Sequence, residues 1–204
     1  MTGPRPFLDR IHRDDERMVK EPGLVYLDRN ERFGGFSEVL FGEMIDTLGP
    51  RDLCVYPDTE PFMDRLSRHV GLAREFLQIT PGADGAVRRI FQAWIEPGDR
   101  VVVATPSWAM FKIYAELYQG VVDPVRYGTD LGLDVDRLIE TSRGARLTAF
   151  ATPSQPTGTV LAVDDVCRIV AAARRGGTMV LVDETYYPFS RETSVGLVEE
   201  FDNL

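Results

Sequence analysis

Short runs of apolar residues recur along the second half of the chain. Three of them span residues 101–104, 147–151 and 179–182, and residues 121–125 form a weaker fourth. A strand with one solvated face alternates apolar and polar side chains, whereas a strand covered on both faces is apolar throughout. The runs therefore predict neighbouring strands of one largely parallel sheet.

The segments between these strands have the three- and four-residue apolar spacing of amphipathic helices. The clearest carries Val166, Ile169, Val170 and Ala173 on one face, with Gly176-Gly177 directly after it. We expect further helices over residues 37–47, 61–70, 82–96, 108–118 and 134–141, and a short strand over 24–27. Alternating strands and helices predict a three-layer α/β fold, with a mostly parallel sheet and helices on both faces.

Composition and charge narrow the possible functions. The 204 residues carry 23 Lys and Arg against 32 Asp and Glu, a net charge of −9, which argues against nucleic-acid binding. No apolar run reaches the roughly 20 residues of a membrane span, and the charged N-terminus lacks a signal-peptide core, so we expect a cytoplasmic protein. Residues 1–30 are predicted to form an N-terminal arm and residues 31–204 one α/β domain.

Several common catalytic signatures are absent from the sequence. Cys54 and Cys167 lie far apart and outside any CxxC motif, so neither a disulfide framework nor a zinc site is indicated. His12 and His69 are isolated, which argues against a metal site or a Ser-His-Asp hydrolase. The sequence has no GxGxxG, GxxxxGK[ST] or GxSxG motif.

Polar segments follow the predicted strands, where open α/β sheets bind their ligands. Residues 80–85 open a helix with two glycines, which suits an anion site or simply a helix cap. Trp108 is placed to stack on a flat cofactor or to serve as a core tryptophan. Asp183, followed three residues later by Tyr186, suits the ring nitrogen and ring oxygen of a pyridine cofactor; a loop cap is the alternative.

Six short motifs stand along the chain in a regular order. They are Asn30-Glu31-Arg32-Phe33, Tyr56-Pro57-Asp58, Gly82-Ala83-Asp84 with Pro97-Gly98-Asp99, Pro106-Ser107-Trp108-Ala109-Met110-Phe111, Gln155-Pro156-Thr157-Gly158 and Asp183-Glu184-Thr185-Tyr186. Together they resemble the large domain of class I and II aminotransferases, which have the type I fold of pyridoxal-phosphate enzymes. Among these, the histidinol-phosphate aminotransferase branch is the most similar. The resemblance runs from about Tyr26 to the last residue.

The resemblance implies pyridoxal 5′-phosphate as the cofactor and gives each matched residue a role. The backbone amides of Ala83 and Asp84 would hold the cofactor phosphate, and Trp108 would stack on the pyridine ring. Asp183 would pair with the protonated ring nitrogen and keep the ring an electron sink. Tyr186 would hydrogen-bond the phenolic oxygen of the ring.

Three further positions follow from the same resemblance. Gln155 stands where the family has an asparagine at the phenolic oxygen, and its amide lies one methylene further out. Tyr56 would reach the phosphate bound by a neighbouring subunit, which implies a homodimer. Asn30 lies where the family's N-terminal segment closes over the substrate.

The Schiff-base lysine of the family lies in a Ser-x-Ser-Lys turn beyond the Asp-x-x-Tyr motif. The only lysines of this sequence are Lys20 and Lys112, and neither stands at that position. The resemblance therefore implies that the catalytic lysine lies beyond Leu204, together with the C-terminal small domain, and that no catalytic residue lies within the chain.

The implied activity of the parent protein is amino-group transfer between an amino acid, or an amino-alcohol phosphate, and a 2-oxo acid. Two alternatives stay open. One is a decarboxylase or C–S lyase on the same fold, and the other is a non-catalytic remnant that acts as a binding or assembly partner.

Overall fold

The computed structural model describes residues 5–11, 23, 32 and 34–204 of the chain. The chain divides into two units, one of residues 14–65 and the other of residues 1–13 and 66–204. The predicted strand at 24–27 and the predicted domain boundary near residue 30 lie outside the described residues. The candidate residue Asn30 lies outside them too.

A four-stranded parallel sheet forms the centre of the larger unit. Its strands are β1 (Arg100–Thr105), β2 (Val121–Arg126), β3 (Leu147–Ala151) and β4 (Met179–Asp183), in the order β2-β1-β3-β4. All three pairings are parallel, which confirms the predicted arrangement. Pro124, which has no N–H to donate, is tolerated because β2 lies at an edge of this sheet.

Helices cover both faces of the sheet, as predicted. On one face lie α3 (Gly82–Trp94) and α4 (Met110–Leu117), and on the other lie α5 (Val135–Ser142) and α6 (Val163–Arg175). Successive strand residues point to opposite faces. Val101 therefore packs in the cluster with Phe91, and Val102 packs in the cluster with Ile169. This alternation explains why the inner positions of β1, β3 and β4 are mostly apolar.

The remaining elements are three α-helices and three 3₁₀ helices among the described residues. They are α1 (Glu38–Asp46), α2 (Glu60–Val70), α7 (Tyr187–Ser190) and 3₁₀ helices at Pro6–Arg10, Arg74–Phe76 and Val195–Glu199. Across the residues that the structure describes, no helix combines the length and apolarity needed to cross a membrane.

Local polar contacts explain where several helices begin. Ser37 accepts a hydrogen bond from the Leu40 amide at the start of α1, and Asp134 accepts one from the Arg137 amide at the start of α5. The helix α4 starts two residues later than predicted. Its approach includes a turn in which the carbonyl of Trp108 accepts a hydrogen bond from the Phe111 amide at 3.3 Å.

The core between β3 and α6 supplies a test of this packing. Phe150 is fully buried, so we expect Phe150→Ala to lower the free energy of unfolding by about 3–5 kcal/mol, since it leaves a cavity. The matched control is Phe189→Ala, because Phe189 is 83% exposed; its effect is expected within about 0.5 kcal/mol. Urea denaturation of the wild type and the two variants measures the free energy of unfolding of each protein. Equal losses in the two variants would contradict the placement of β3.

Candidate active site

Four candidate residues of the larger unit lie at or just after the carboxyl ends of three neighbouring strands. Trp108 follows β1, Gln155 follows β3, and Asp183 ends β4 with Tyr186 just beyond it. Because β1, β3 and β4 are adjacent and parallel, these positions belong to one edge of the sheet. The register opposes Ala151 to Asp183 and ties the first residues of the two loops together.

Two candidate side chains from different loops meet at this edge. The hydroxyl of Tyr186 donates a hydrogen bond to Oε1 of Gln155 at 2.9 Å. The amide of Thr152 donates to the carbonyl of Asp183 at 2.9 Å, which holds the loops after β3 and β4 side by side. Within the described residues, the amide nitrogen of the Gln155 side chain donates to no protein group. The pair therefore keeps donor capacity for a ligand.

One oxygen of the Asp183 carboxylate is hydrogen-bonded, and the other has no donor among the described residues. Its Oδ1 accepts from the backbone amide of Thr185 at 2.9 Å and from the Thr185 hydroxyl at 2.6 Å. No described residue donates to its Oδ2. Asp183 is only partly buried, so an anionic oxygen is available at the end of β4.

The start of α3 has the geometry of an anion site. Gly82 has φ +68°, a conformation that glycine adopts without strain. A Cβ on Gly85 would lie 2.9 Å from Cδ of Pro81, so the close turn requires glycine there too. Ala83 and Asp84 occupy the first turn, where backbone amides have no acceptor within the helix. Such amides and the helix dipole favour a bound anion.

A side chain of α4 fixes the carboxylate of Asp84. The hydroxyl of Tyr114 donates to Oδ1 of Asp84 at 2.8 Å. Burial, together with this hydrogen bond to a carboxylate, raises the pKa of Tyr114 to about 12. The contact joins the start of α3 to α4 and keeps the acidic side chain of the turn in one place.

Trp108 is partly buried and contacts Phe111 edge to face, with ring centroids 5.8 Å apart. It also lines an open cavity of about 680 Å³ between α4 and β2, together with Ser107, Lys112 and Arg126. Oγ of Ser107 is buried and has no hydrogen-bond partner among the described residues. The side chains of Gln155, Asp183 and Tyr186 do not line this cavity. Trp108 thus lies at the same sheet edge as those residues, but the cavity that it lines is not shared with them.

Two further sequence-based candidates are Tyr56 and Asn30. Tyr56 belongs to the unit of residues 14–65, and its side chain is fully exposed. Asn30 lies outside the described residues. Among the described parts of the chain, no group of three His, Cys, Asp or Glu side chains is arranged to hold a metal ion.

The last residue, Leu204, marks the position beyond which the sequence resemblance implies the Schiff-base lysine. Leu204 has no site role of its own: it is partly buried and packs against the hydrophobic cluster of Val102 and Ile169. Of the two lysines in the sequence, the structure describes Lys112, which is exposed on α4, while Lys20 lies outside the described residues. A catalytic lysine beyond Leu204 therefore stays a prediction.

The residues present fit pyridoxal phosphate. The amides of Ala83 and Asp84 suit its phosphate, the open oxygen of Asp183 suits a protonated ring nitrogen, and the amide of Gln155 suits the ring oxygen. The buried hydroxyl of Ser107, next to Trp108 at the end of β1, is a further polar group without a partner among the described residues. These roles stay predictions for the individual residues.

Sequence reasoning missed two residues that support the site. The Thr185 contact with Asp183 is local, and a Thr two residues after an Asp is a recognisable turn signal. Tyr114 gave no such signal, because it falls at a core position of α4 and its partner Asp84 is 30 residues away.

A parallel sheet between helical layers, with polar candidate residues at its carboxyl edge, defines an α/β protein of the open-sheet class, whose members bind ligands at the ends of their strands. Residues 38–204 match the sequence model of the family described as aminotransferase class I and II, and the chain belongs to that family. This match confirms the family predicted from the six motifs.

Two curated relatives and one crystal structure that match the chain are histidinol-phosphate aminotransferases. Histidinol-phosphate aminotransferase of Thermoanaerobacter pseudethanolicus is 30% identical over 182 residues, covering 87% of this chain and 51% of the relative. The enzyme of that name from Prosthecochloris aestuarii is 36% identical over 185 residues, covering 88% and 51%. The crystal structure of histidinol-phosphate aminotransferase from Sinorhizobium meliloti, in complex with pyridoxal-5′-phosphate, matches with a TM-score of 0.66 and 25% identity, over 76% of this chain and 42% of that one. The chain spans about half the length of the curated relatives it matches.

The contact between Tyr114 and Asp84 predicts a pH-dependent stability. The pKa of Tyr114 is about 12 in the folded chain and about 10 when unfolded, so its stabilising effect is complete below pH 10 and is lost as the pH rises towards 12. We expect Tyr114→Phe to cost about 1 kcal/mol at pH 8, and the difference from wild type to shrink above pH 10.

Urea denaturation at pH 8, 10 and 11 measures this difference. Tyr187→Phe is the control, since Tyr187 is exposed and its hydroxyl makes no hydrogen bond to a described residue. A Tyr114→Phe effect that is constant from pH 8 to 11 would rule out the raised pKa.

Proposed function

We propose that this chain is the cofactor-binding part of a pyridoxal-phosphate-dependent aminotransferase. Residues 31–204 would be most of its large domain, and residues 1–30 an N-terminal arm. The observation that carries the proposal is the pair of side chains Tyr186 and Gln155, 2.9 Å apart, at the edge where Asp183 ends β4. The sequence family and the similarity to a pyridoxal-phosphate complex support the same cofactor.

In this proposal each candidate residue contacts a different part of the cofactor or orients a residue that does. The amides of Ala83 and Asp84 bind the cofactor phosphate, helped by the dipole of α3. Oδ2 of Asp183 would accept a hydrogen bond from the protonated ring nitrogen and so keep the ring cationic. Gln155 donates its amide N–H to the ring oxygen. Tyr186 donates to Gln155 and so orients the Gln155 amide.

The chemistry itself belongs to the cofactor. When bound, pyridoxal phosphate supplies an electron-withdrawing ring that acidifies the Cα–H of an amine substrate. Trp108 contributes an aromatic face to the ring at the end of β1. The partial burial of Asp183 strengthens its attraction to a cationic ring, because less water screens the pair.

The whole protein is proposed to move an amino group between an amino-alcohol phosphate or amino acid and a 2-oxo acid. The similarity to histidinol-phosphate aminotransferases supports the phosphorylated amine as its donor. The catalytic amine is proposed to be a lysine beyond Leu204, and neither lysine of this chain takes that role. Lys112 is exposed on α4, where it pairs with Glu116 at 3.7 Å, and Lys20 precedes the sheet. The chain alone would then bind the cofactor without attaching it covalently.

A homodimer is proposed for this protein. The helix α1 exposes an apolar face, on which Phe41, Met44 and Ile45 are each about half exposed. Monomeric proteins rarely expose contiguous apolar surface of this kind, and a second copy of the chain is the occupant implied by the family. Tyr56 would then serve the site of the neighbouring subunit.

Asp183→Ala tests the cofactor proposal. Pyridoxamine 5′-phosphate is the probe, because it has no aldehyde and forms no adduct with lysine. We expect wild type to bind it saturably and Asp183→Ala to weaken the affinity at least tenfold, since the ring cation loses its partner. Isothermal titration calorimetry measures both constants. Asp202→Ala removes an exposed aspartate near the amino end of β4 and is expected to bind like wild type. Equal affinities in all three proteins would exclude the assigned role of Asp183.

Sedimentation velocity tests the dimer. At tens of micromolar we expect the chain to sediment as a dimer, and Phe41→Asp combined with Met44→Asp to give a monomer, because both substitutions place charge on the apolar surface of α1. Glu43→Gln, on the same helix, is expected to leave the dimer intact. A monomeric wild type would refute a dimer built by this chain through α1.

A further inference from the structure

Thr185 makes a double contact with the carboxylate that the proposed function assigns to the ring nitrogen. Its backbone amide and its hydroxyl both donate to Oδ1 of Asp183, at 2.9 and 2.6 Å. The similar family motif has alanine at this position, and alanine would offer only the backbone amide. Thr185 is itself exposed and its side chain has no other hydrogen-bond partner among the described residues.

Two donors on one oxygen constrain the rotation of a carboxylate. A backbone amide alone fixes the position of Oδ1 loosely, because one hydrogen bond leaves the side chain free to turn about it. The second donor holds the carboxylate in one rotamer and leaves Oδ2 as the unsatisfied oxygen. A ligand that binds Oδ2 then avoids the entropy cost of ordering a mobile side chain.

We propose that Thr185 is a positioning residue, which orients Asp183 so that Oδ2 accepts the N–H of a cationic heteroaromatic ring. The inference rests on the proposed function and adds to it. Thr185 acts through Asp183 alone and does not touch the ligand. Its effect is therefore confined to ligands that carry a ring nitrogen.

Two ligands that differ only at the ring nitrogen distinguish a positioning role of Thr185 from a general effect on the loop after β4. One is pyridoxamine 5′-phosphate, and the other is its 1-deaza analogue, in which a C–H replaces the ring nitrogen. Both keep the phosphate that binds at the start of α3 and the ring oxygen that faces Gln155. Only the first carries a proton for Asp183.

The variants are Thr185→Ala, Thr185→Val and Thr185→Ser, each titrated calorimetrically with both ligands at pH 7. We expect Ala and Val to weaken pyridoxamine phosphate binding about three- to tenfold, and Ser, which restores the hydroxyl, to stay within twofold of wild type. Val matches Thr in shape, so it separates the loss of the hydroxyl from the loss of volume. Affinity for the deaza analogue is expected to be the same in all four proteins.

Three other outcomes would each overturn the inference. Equal weakening of both ligands by Thr185→Ala would make Thr185 a structural residue of the loop and overturn the inference. An unchanged affinity in Thr185→Ala would overturn it too, while leaving a wild type that binds the cofactor. A wild type that binds neither ligand would refute the proposed function itself, and the inference with it. Because Thr185 is exposed, the Ser and Ala variants are expected to unfold at the wild-type urea midpoint.

Discussion

Burial of β3 between two helical layers is the constraint on which the rest of this structure depends. All five of its residues are buried, and its neighbours are parallel on both sides. A one-residue slip would exchange the faces of Phe150 and Ala149, so the register is strongly fixed. The same register opposes Ala151 to Asp183, and it thereby brings the loop of Gln155 to the loop of Tyr186. The site is a consequence of core packing.

Two polar contacts orient the carboxylates of the candidate residues. Asp84 is held by Tyr114, and Asp183 is held by Thr185, so each acidic group has one defined partner residue. In both cases a carboxylate near a proposed phosphate or ring nitrogen is oriented before any ligand arrives. Preorganisation of this kind lowers the cost of ordering the site on binding.

The local chemistry of the sequence predicted most elements of the larger unit. Continuous apolar runs identified β1, β3 and β4, a weaker run identified β2, and apolar periodicity identified α3, α5 and α6 nearly to their ends. Ser37 and Asp134 stand at helix starts for the expected reason, since their side chains accept amide hydrogen bonds. The start of α4 was placed too early, because Trp108 continues the apolar pattern of the helix while its backbone belongs to the preceding turn.

The sequence by itself determined the fold class, the family and the positions of the candidate residues, because periodicity, turn residues and short motifs are local properties of the chain. Only the tertiary structure decided which side chains meet. Tyr186 and Gln155 are 31 residues apart and Tyr114 and Asp84 are 30 apart. Their contacts depend on strand order and on which helix face turns to the sheet. No local pattern carries that information, because the partners approach each other only after the intervening strand and helix have packed.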